Sequence, residues 1–241
     1  MSDVRVEKSP KRVRVMFNGR YVADSHPLLV WERPYYPTYY FPNQDVTEEV
    51  LEATADIEPH EALGSGSAFN VRVADRLAPD AALRYPDSPV AQIRDATRFE
   101  WGAMDHWFEE NEEVFVHARS PYHRIDTLHS SKHIRIDVDG VTLADSTHPT
   151  LLLETGLPTR YYLPKADVRM DLLTPTHLTT ACPYKGNASY WSYGEHENLV
   201  WGYSFPVAES AKIAGLVCFY NERVDLWVDG VLQPKPVTQF S

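Results

Sequence analysis

The segment Thr180–Trp191 concentrates residue types that can perform chemistry, and it reads Thr-Ala-Cys-Pro-Tyr-Lys-Gly-Asn-Ala-Ser-Tyr-Trp. A cysteine thiolate is a strong nucleophile, and a nearby cation favours its formation. Lys185 follows Cys182 by three residues, and Pro183 and Gly186 favour a turn that would bring the ammonium group back toward the sulfur. The alternative is that Cys182 is a small buried apolar residue, as free cysteines usually are.

Two further residues complete this candidate catalytic group. His177 lies five residues before Cys182 and would serve as a proton shuttle if the intervening chain curls. Lys185 has a second possible role, because its ammonium group and the amides of Gly186 and Asn187 would suit an anionic substrate. The alternative is that Lys185 is only a solvated turn residue.

Aromatic residues crowd the same part of the chain. The candidate pocket residues are Tyr161, Tyr162, Tyr184, Tyr190 and Trp191. On a strand, Trp191 and Tyr193 would share one face while Tyr190 lies on the other. Aromatic walls with a few polar groups are typical of a small-molecule site, whereas packing in the core is the alternative.

Glu154 and Arg124 are the polar candidates for the lining of this pocket. Glu154 has a counterpart, Glu32, earlier in the chain, so a scaffold role is the alternative to acid–base chemistry. Arg124 and Asp126 would share one strand face, where they would line a ligand groove or form a structural ion pair.

The elements that must position these residues occur twice in the chain. Residues 12–46 realign onto 133–168 with a shift of 121 that becomes 122 after an insertion at Thr147, and fourteen positions are identical. A long-period repeat of this kind indicates two copies of one structural unit. We therefore predict a first domain over residues 1–120 and a second over residues 121–241.

Alternating apolar residues and tight turns predict antiparallel strands in both copies. Asn18-Gly19 and Asp139-Gly140 occupy matching positions between strands, and Asp229-Gly230 follows a further strand. An Asn-Gly or Asp-Gly pair suits a hairpin turn with positive φ at both central residues. We match the strand before Asp229 with Val114–Val116 of the first copy. Short helices are expected at 46–51, 168–173 and 206–213.

The two copies diverge at the chemical motif. Gly66 and Ala68 align by sequence with Gly186 and Ala188, and the first copy has neither the cysteine nor the lysine there. A group kept by only one copy is a candidate for specialised chemistry. We therefore expect the intact site in the second copy and a degenerate, supporting partner in the first.

Composition narrows the class of protein. The net charge of -11 argues against a general nucleic-acid binder. No apolar run is long enough for a transmembrane helix, and residues 1–8 lack an apolar signal core. Two cysteines cannot form a disulfide framework or a four-cysteine zinc site. We expect a cytoplasmic protein with a small-molecule ligand, no membrane or nucleic-acid partner, and no metal or other cofactor.

The repeated motifs resemble those of the bacterial "domain of unknown function 427" family. These motifs are Ala-Asp-Ser, Tyr-Tyr-x-Pro-x-x-Asp-Val and Thr-x-Cys-Pro-x-Lys-Gly-x-Ala-x-Tyr-Trp, and the tandem form covers nearly the whole chain. The resemblance implies a mainly β fold of two tandem β-tent-like domains, each with short antiparallel sheets and small helical insertions. Several other β-tent proteins hold zinc with paired Cys-x-x-Cys motifs, which this chain lacks.

The family also carries a nucleotidyltransferase label, which the residues do not favour. Asp137 and Asp139 have the spacing of a metal-binding pair, but Asp139 is better explained by its turn. We therefore expect a small-molecule enzyme centred on Cys182 and Lys185. A non-catalytic small-molecule-binding module and a purely structural or interaction protein are the alternatives.

Overall fold

The protein is described by a computed structural model that covers residues 4–32, 36–238 and 240–241. The chain forms two compact units, Met1–Ser120 and Pro121–Ser241. Strands dominate both units and short 3-10 turns connect them, which confirms the expected mainly β fold of short antiparallel sheets. Within the described ranges, no helix has the length and apolar character needed to cross a membrane.

The first unit has eleven strands in its described part. They are β1 (Val6–Lys8), β2 (Val13–Phe17), β3 (Arg20–Ser25), β4 (Leu28–Val30), β5 (Thr38–Pro42), β6 (Leu51–His60), β7 (Gly64–Val73), β8 (Arg76–Arg84), β9 (Ala96–Phe99), β10 (His106–Glu109) and β11 (Glu112–Glu113). One sheet has the order β1-β4-β5-β9-β8-β7-β6, and the other has the order β11-β10-β2-β3. The short 3-10 turns span Asn43–Asp45, Glu48–Val50, Ala91–Ile93 and Trp101–Ala103.

The second unit repeats these elements in the same chain order. Its strands are β12 (Ile125–His129), β13 (Ile134–Val138), β14 (Val141–Ser146), β15 (Thr150–Glu154), β16 (Arg160–Tyr162), β17 (Thr174–Cys182), β18 (Gly186–Tyr193), β19 (His196–Pro206), β20 (Val217–Phe219), β21 (Asp225–Val228) and β22 (Val231–Leu232). The sheet orders are β12-β15-β16, β17-β18-β19-β20 and β14-β13-β21-β22. The 3-10 turns span Lys165–Asp167, Met170–Leu172 and Ala208–Ile213.

A single backbone bridge joins two of these sheets into the counterpart of the seven-stranded sheet. The Leu163 amide donates to the Val217 carbonyl at 2.7 Å, and the Val217 amide donates to the Leu163 carbonyl at 3.0 Å. In the first unit, Phe41 and Thr97 hold the corresponding place within a continuous ladder from β5 to β9. We call the long sheet of each unit, including this joined one, its main sheet.

The main sheet has apolar residues on both faces. In the first unit, Tyr39 and Phe41 pack into the core shared with the smaller sheet, while Tyr40 packs into a cluster on the opposite face. In the second unit, Tyr161 packs against the core shared with the smaller sheet, and Tyr162 packs into the cluster on the opposite face. This alternation follows from the two-residue period of a strand, and it determines which side chains can meet.

The predicted hairpin turns are confirmed. Asn18 and Gly19 have φ values of 47° and 74°, and Asp139 and Gly140 have values of 51° and 77°. Asp229 and Gly230 follow the same pattern, at 51° and 80°. Positive φ at both central positions is the geometry that matches the twist of the flanking strands.

One expected strand match is wrong, and the expected short helices are present as 3-10 turns. The strand that matches β21 is β10 (His106–Glu109), not Val114–Val116, because β10 pairs with β2 just as β21 pairs with β13. The predicted helices contain only short 3-10 turns. Prolines and nearby strand pairing leave these segments too short to propagate an α-helix.

Both units repeat one polar contact between a strand end and a 3-10 turn. The Ser25 hydroxyl donates to the Asp45 carboxylate at 2.5 Å, and Ser146 donates to Asp167 at 2.6 Å. The shared Asp-Ser and Asp-Val motifs therefore maintain the scaffold in both units.

Candidate functional site

The Cys-Pro-Tyr-Lys-Gly motif forms the tight turn between β17 and β18. Cys182 ends β17 and pairs with Gly186, which begins β18, and the Lys185 amide donates to the Cys182 carbonyl at 3.3 Å. Gly186 has a φ of 102°, and a Cβ there would lie 3.1 Å from the Phe205 carbonyl oxygen. The motif needs glycine at this position because a side chain would be strained and crowded.

Strand register brings Tyr190 of the motif together with aromatic residues of neighbouring strands on one face of the main sheet. Tyr190 lies opposite Trp201, and Trp201 lies opposite Cys218. Tyr162 and Tyr203 belong to the same buried cluster. Half-buried Cys182 shares the face of Tyr190, because alternate strand residues point the same way.

The hydroxyl groups on this face have specific neighbours. The Trp201 indole N–H donates to the Tyr162 hydroxyl at 3.1 Å, and the hydroxyls of Tyr190 and Thr180 are 2.7 Å apart. Burial raises the pKa of Tyr203, and nearby Cys182 raises it further. Tyr203 therefore keeps its proton at neutral pH and remains a hydrogen-bond donor close to the thiol.

A buried carboxylate lies beside the motif turn. Glu154, at the end of β15, accepts hydrogen bonds from the Lys185 ammonium group and from His123 Nε2, the latter at 2.9 Å. Only 6% of the Glu154 side chain and 12% of the Lys185 side chain are exposed. Burial alone would raise the pKa of Glu154, but the His123 hydrogen bond and the Lys185 charge hold it below the usual value. Glu154 is therefore ionised at neutral pH.

His123 is the histidine that the structure brings to the motif. Its ring stacks on Tyr184, with the ring centroids 4.2 Å apart and the planes inclined by 28°. The Ser210 hydroxyl donates to the Tyr184 carbonyl at 3.1 Å and so helps to fix the turn. Sequence reasoning missed His123 because this residue precedes β12, far from Cys182 in the chain. It also lies outside the motifs that the two copies share.

The structure separates His177 from Cys182. Both belong to β17, and Thr179–Cys182 pair regularly with β18, while the register shifts between Pro175 and Thr179, where His177 lies. At about 3.3 Å of rise per residue, the paired residues Thr179–Cys182 alone span about 10 Å. His177 is exposed on this edge strand. The strand does not bring His177 to the motif turn, and a proton-shuttling role for His177 stays a prediction.

Three of the predicted lining residues lie away from the Cys182 face. Tyr161 and Trp191 pack against the core on the other face of the main sheet, and Trp191 lies under the Lys165 ammonium group at 5.1 Å. Arg124 is 79% exposed and pairs with Asp126. Tyr162, Tyr184, Tyr190 and Glu154 remain beside the motif.

A second buried ion pair borders the aromatic cluster formed by Tyr162, Tyr190, Trp201 and Tyr203. Arg160 donates to both carboxylate oxygens of Glu222, at 2.7 and 2.8 Å, and its guanidinium lies over the ring of Trp201. Burial raises the pKa of the neighbouring Cys218 thiol to about 12. This thiol is therefore protonated and enclosed, unlike the half-buried Cys182.

Asp137 and Asp139, which have the spacing of a metal-binding pair, serve local structure. Asp137 accepts hydrogen bonds from Arg135 and Thr142, and Asp139 occupies the hairpin turn. Among the residues described by the structure, no cluster of His, Cys, Asp and Glu side chains has the geometry of a metal site.

Strand pairing also shows which residues of the first unit occupy the corresponding positions. Tyr40 lies opposite Arg98, as Tyr162 lies beside Cys218 across the Leu163–Val217 bridge. Arg98 therefore corresponds to Cys218.

The pairing of β6 with β7 corrects the alignment of the motif turn. His60 lies opposite Gly64, as Cys182 lies opposite Gly186. Gly64 shares the positive φ of Gly186, at 83°. The counterpart of Gly186 is therefore Gly64 rather than Gly66, and the expectation based on Gly66 and Ala68 is shifted by two residues. His60 takes the place of Cys182, and Leu63 takes the place of Lys185.

Comparison with known protein families gives two matching regions. The model of a family described as a domain of unknown function (DUF427) matches residues 5–110 and 126–230. A comparison with curated proteins gives no match. The two matched regions fall one in each compact unit, which confirms the tandem repeat. The chain belongs to the DUF427 family and contains two copies of its domain.

Proposed function

We propose that the second unit is a small-molecule enzyme in which Cys182 is the nucleophile and His123 transfers protons. The observation that carries this proposal is the His123–Glu154 pair beside the turn that begins at Cys182. A nucleophile, a base and an acidic residue that orients the base form the general arrangement for covalent catalysis. Lys185 is a positioning residue in this scheme, because its ammonium group holds Glu154 ionised.

The simplest reaction that fits these groups is acyl transfer to water. His123 takes the Cys182 proton, and the thiolate sulfur forms a bond to the carbonyl carbon of the substrate. The leaving group departs with the proton from His123, which gives a thioester. In the second half, His123 takes a proton from water, and the water oxygen attacks the thioester carbon. The C–S bond breaks, the acid is released, and the Cys182 sulfur regains its proton from His123. Tyr203 is a suitable donor to the developing oxyanion because its hydroxyl stays protonated.

The first test is the rate of iodoacetamide alkylation at each cysteine, followed by peptide mass spectrometry across pH. We expect Cys182 to react much faster than enclosed Cys218 at pH 7. We also expect His123→Gln to slow Cys182 at least about tenfold, because base assistance to a nucleophile contributes factors of this order or more. Equal rates for the two cysteines, or an unchanged rate in His123→Gln, would count against the proposal.

The second test is turnover of p-nitrophenyl acetate, an activated acyl compound. We expect a burst of nitrophenol that Cys182→Ala abolishes and Tyr203→Phe reduces. His177→Gln is the matched control, because this exposed histidine is remote from the motif turn. A burst that survives in Cys182→Ala would refute the role of this thiol.

One observation favours the second candidate function, a non-catalytic small-molecule-binding module. The Lys185 ammonium group is bound to Glu154, so its charge serves the carboxylate instead of the thiol. In a binding module, a ligand would raise the melting temperature of wild type and of Cys182→Ala by the same amount. In the enzyme, an electrophilic substrate analogue would form an adduct only with wild type.

A further inference from the structure

The first unit has an open cleft where the ends of four strands meet. Residues of β1, β3, β4 and β5 line this cleft, and its volume is about 580 Å³. A volume of this size is within the range of small-molecule sites. Lys8 lies opposite Leu28 on the neighbouring strand, and the Ser9 amide donates to the Pro27 carbonyl at 2.8 Å. Backbone pairing therefore fixes one wall of the cleft.

Hydrogen bonds hold two aspartates in fixed positions at this cleft. Arg12 donates to both carboxylate oxygens of Asp24, at 2.6 and 2.5 Å, so these two charges neutralise each other. The Ser25 hydroxyl donates to Asp45 Oδ2 at 2.5 Å, and no described residue donates to Asp45 Oδ1. One oxygen of Asp45 is therefore oriented by the protein, while the other is available to a ligand.

The cleft also contains a lysine and a histidine that the protein leaves unbonded. Lys8 and His26 both line it, and neither forms a hydrogen bond or ion pair with another described residue. Because Arg12 and Asp24 neutralise each other, the remaining lysine and carboxylate charges are those of Lys8 and Asp45. The cleft therefore offers one positive and one negative group to a ligand.

The second unit has no lysine at the corresponding position. His129 lies opposite Thr150, as Lys8 lies opposite Leu28, so His129 takes the place of Lys8. The His129 ring bonds to the Thr150 hydroxyl at 3.1 Å. The second unit has therefore replaced a lysine that is free for a ligand with a histidine that bonds within the protein.

The other histidines of this region in the second unit are also bonded within the protein. His133 takes the place of Arg12 and lies 2.8 Å from Asp145. His148, the counterpart of His26, lies 3.2 Å from the hydroxyl of the inserted Thr147. The unbonded groups of the first unit are therefore not a requirement of the shared fold.

We propose that this cleft binds a small zwitterion, a free amino acid or a short peptide, with its carboxylate on Lys8 and its ammonium group on Asp45. An ammonium group has the N–H donors that Asp45 Oδ1 can accept, and a carboxylate has the acceptors for the Lys8 ammonium group. Leu28 and Pro42 also line the cleft and suit an apolar side chain of the ligand.

The arrangement of charge disfavours other classes of ligand. A phosphate or another simple anion would be repelled by the two aspartates of the cleft, and a simple cation would be repelled by Lys8 and Arg12. A neutral polyol such as glucose would leave both free charges without a counter-charge. A zwitterion supplies both counter-charges at once.

The test uses the full chain, with leucine and leucyl-leucine as probes and saturation-transfer NMR titration as the readout. We expect binding that weakens as sodium chloride is added, because the charged contacts are open to solvent. Leucinamide lacks the carboxylate, and N-acetyl-leucine lacks the ammonium group, so each should bind more weakly than leucine. The tighter of the two probes identifies a free amino acid or a short peptide as the ligand.

Two variants assign each end of the ligand to its protein group. Lys8→Gln should weaken leucine binding about tenfold, the effect of one lost charged hydrogen bond, and should leave leucinamide binding unchanged. Asp45→Asn should weaken leucine binding by a similar factor and leave N-acetyl-leucine binding unchanged. Both variants should fold, because Lys8 is exposed and asparagine keeps an oxygen for the Ser25 hydroxyl.

Matched controls change the corresponding residues of the second unit. His129→Gln and Asp167→Asn should bind leucine as wild type does, and so should Cys182→Ala, which separates this proposal from the enzyme proposal. The proposal is overturned if neither probe binds, or if glucose binds more tightly than both. It is also overturned if leucine, leucinamide and N-acetyl-leucine bind equally, or if folded Lys8→Gln binds leucine normally.

Discussion

Replacing Lys185 with methionine should destabilise the second unit by leaving Glu154 with His123 alone. Two unit charges about 4 Å apart interact by about 4 kcal/mol at an effective dielectric constant of 20. Removing one member of a buried ion pair typically costs about 3–5 kcal/mol. Since His123 still donates to Glu154, we expect the lower end, a loss of about 3 kcal/mol in the free energy of unfolding.

A double-mutant cycle measures the interaction itself. The variants are Lys185→Met, Glu154→Gln and the double mutant, unfolded in urea at pH 7 and followed by tryptophan fluorescence. Hydrogen exchange of peptides from residues 121–241 assigns the loss to the second unit. We expect a coupling energy of about 2 kcal/mol, within the range found for residues in contact. The exposed pair Arg169–Asp171 is the control and should show no measurable coupling.

The pH dependence of this stabilisation has a definite sign. The pKa of Glu154 is lowered in the folded protein, so its ionised form stabilises the fold above the ordinary glutamate pKa of about 4.3. This contribution is lost as the pH falls through the lower pKa of the folded state. The stability difference between wild type and Glu154→Gln should therefore persist at neutral pH and shrink in acid. A loss below about 1 kcal/mol for Lys185→Met, or strictly additive effects, would refute this account of the buried pair.

Three other predictions concern the aromatic cluster. Arg160→Met leaves the fully buried Glu222 carboxylate without its guanidinium partner. Urea unfolding should therefore show a loss of about 3–5 kcal/mol in the free energy of unfolding, and an unchanged unfolding midpoint would contradict this. Tyr162→Phe removes the acceptor of the Trp201 indole and should cost about 1–2 kcal/mol in the same assay, whereas a stabilised variant would contradict this hydrogen bond. Burial raises the pKa of Cys218 to about 12. Alkylation of Cys218 at pH 8 should therefore be about a thousandfold slower in the folded protein than in urea, where the thiol has its ordinary pKa. Comparable rates would show that the thiol is accessible in the folded protein.

Much of the fold could be predicted from the sequence because local patterns determine it. Asn18-Gly19 and Asp139-Gly140 have one favourable turn geometry, and strand alternation separates Tyr190 from Trp191. The strand register around the motif turn is harder to predict from the sequence. Gly64 and Gly66 both fit the sequence pattern, and the strand pairing and the backbone conformation at Gly64 identify it as the counterpart of Gly186.

The composition of the site depended on contacts that no local pattern encodes. Cys182 and Lys185 are close in the chain, yet the ammonium group bonds to Glu154 on a strand of the other part of the main sheet. His177 is near Cys182 in sequence, but an extended strand separates them. His123 reaches the motif through tertiary pairing of β12 with β15, which a motif search cannot reveal.

The single backbone bridge at Leu163 and Val217 makes the second unit mechanically different from the first. Where the first unit has a ladder, the second depends on side chains that cross the same boundary, namely the pairs Lys185–Glu154, Trp201–Tyr162 and Arg160–Glu222. Side-chain bonds can exchange partners without unravelling a sheet. A ligand that competes for one of these side-chain bonds can therefore weaken or strengthen the contact between the two sheets. Ligand binding to the second unit should then change the rate of amide hydrogen exchange at Leu163 and Val217.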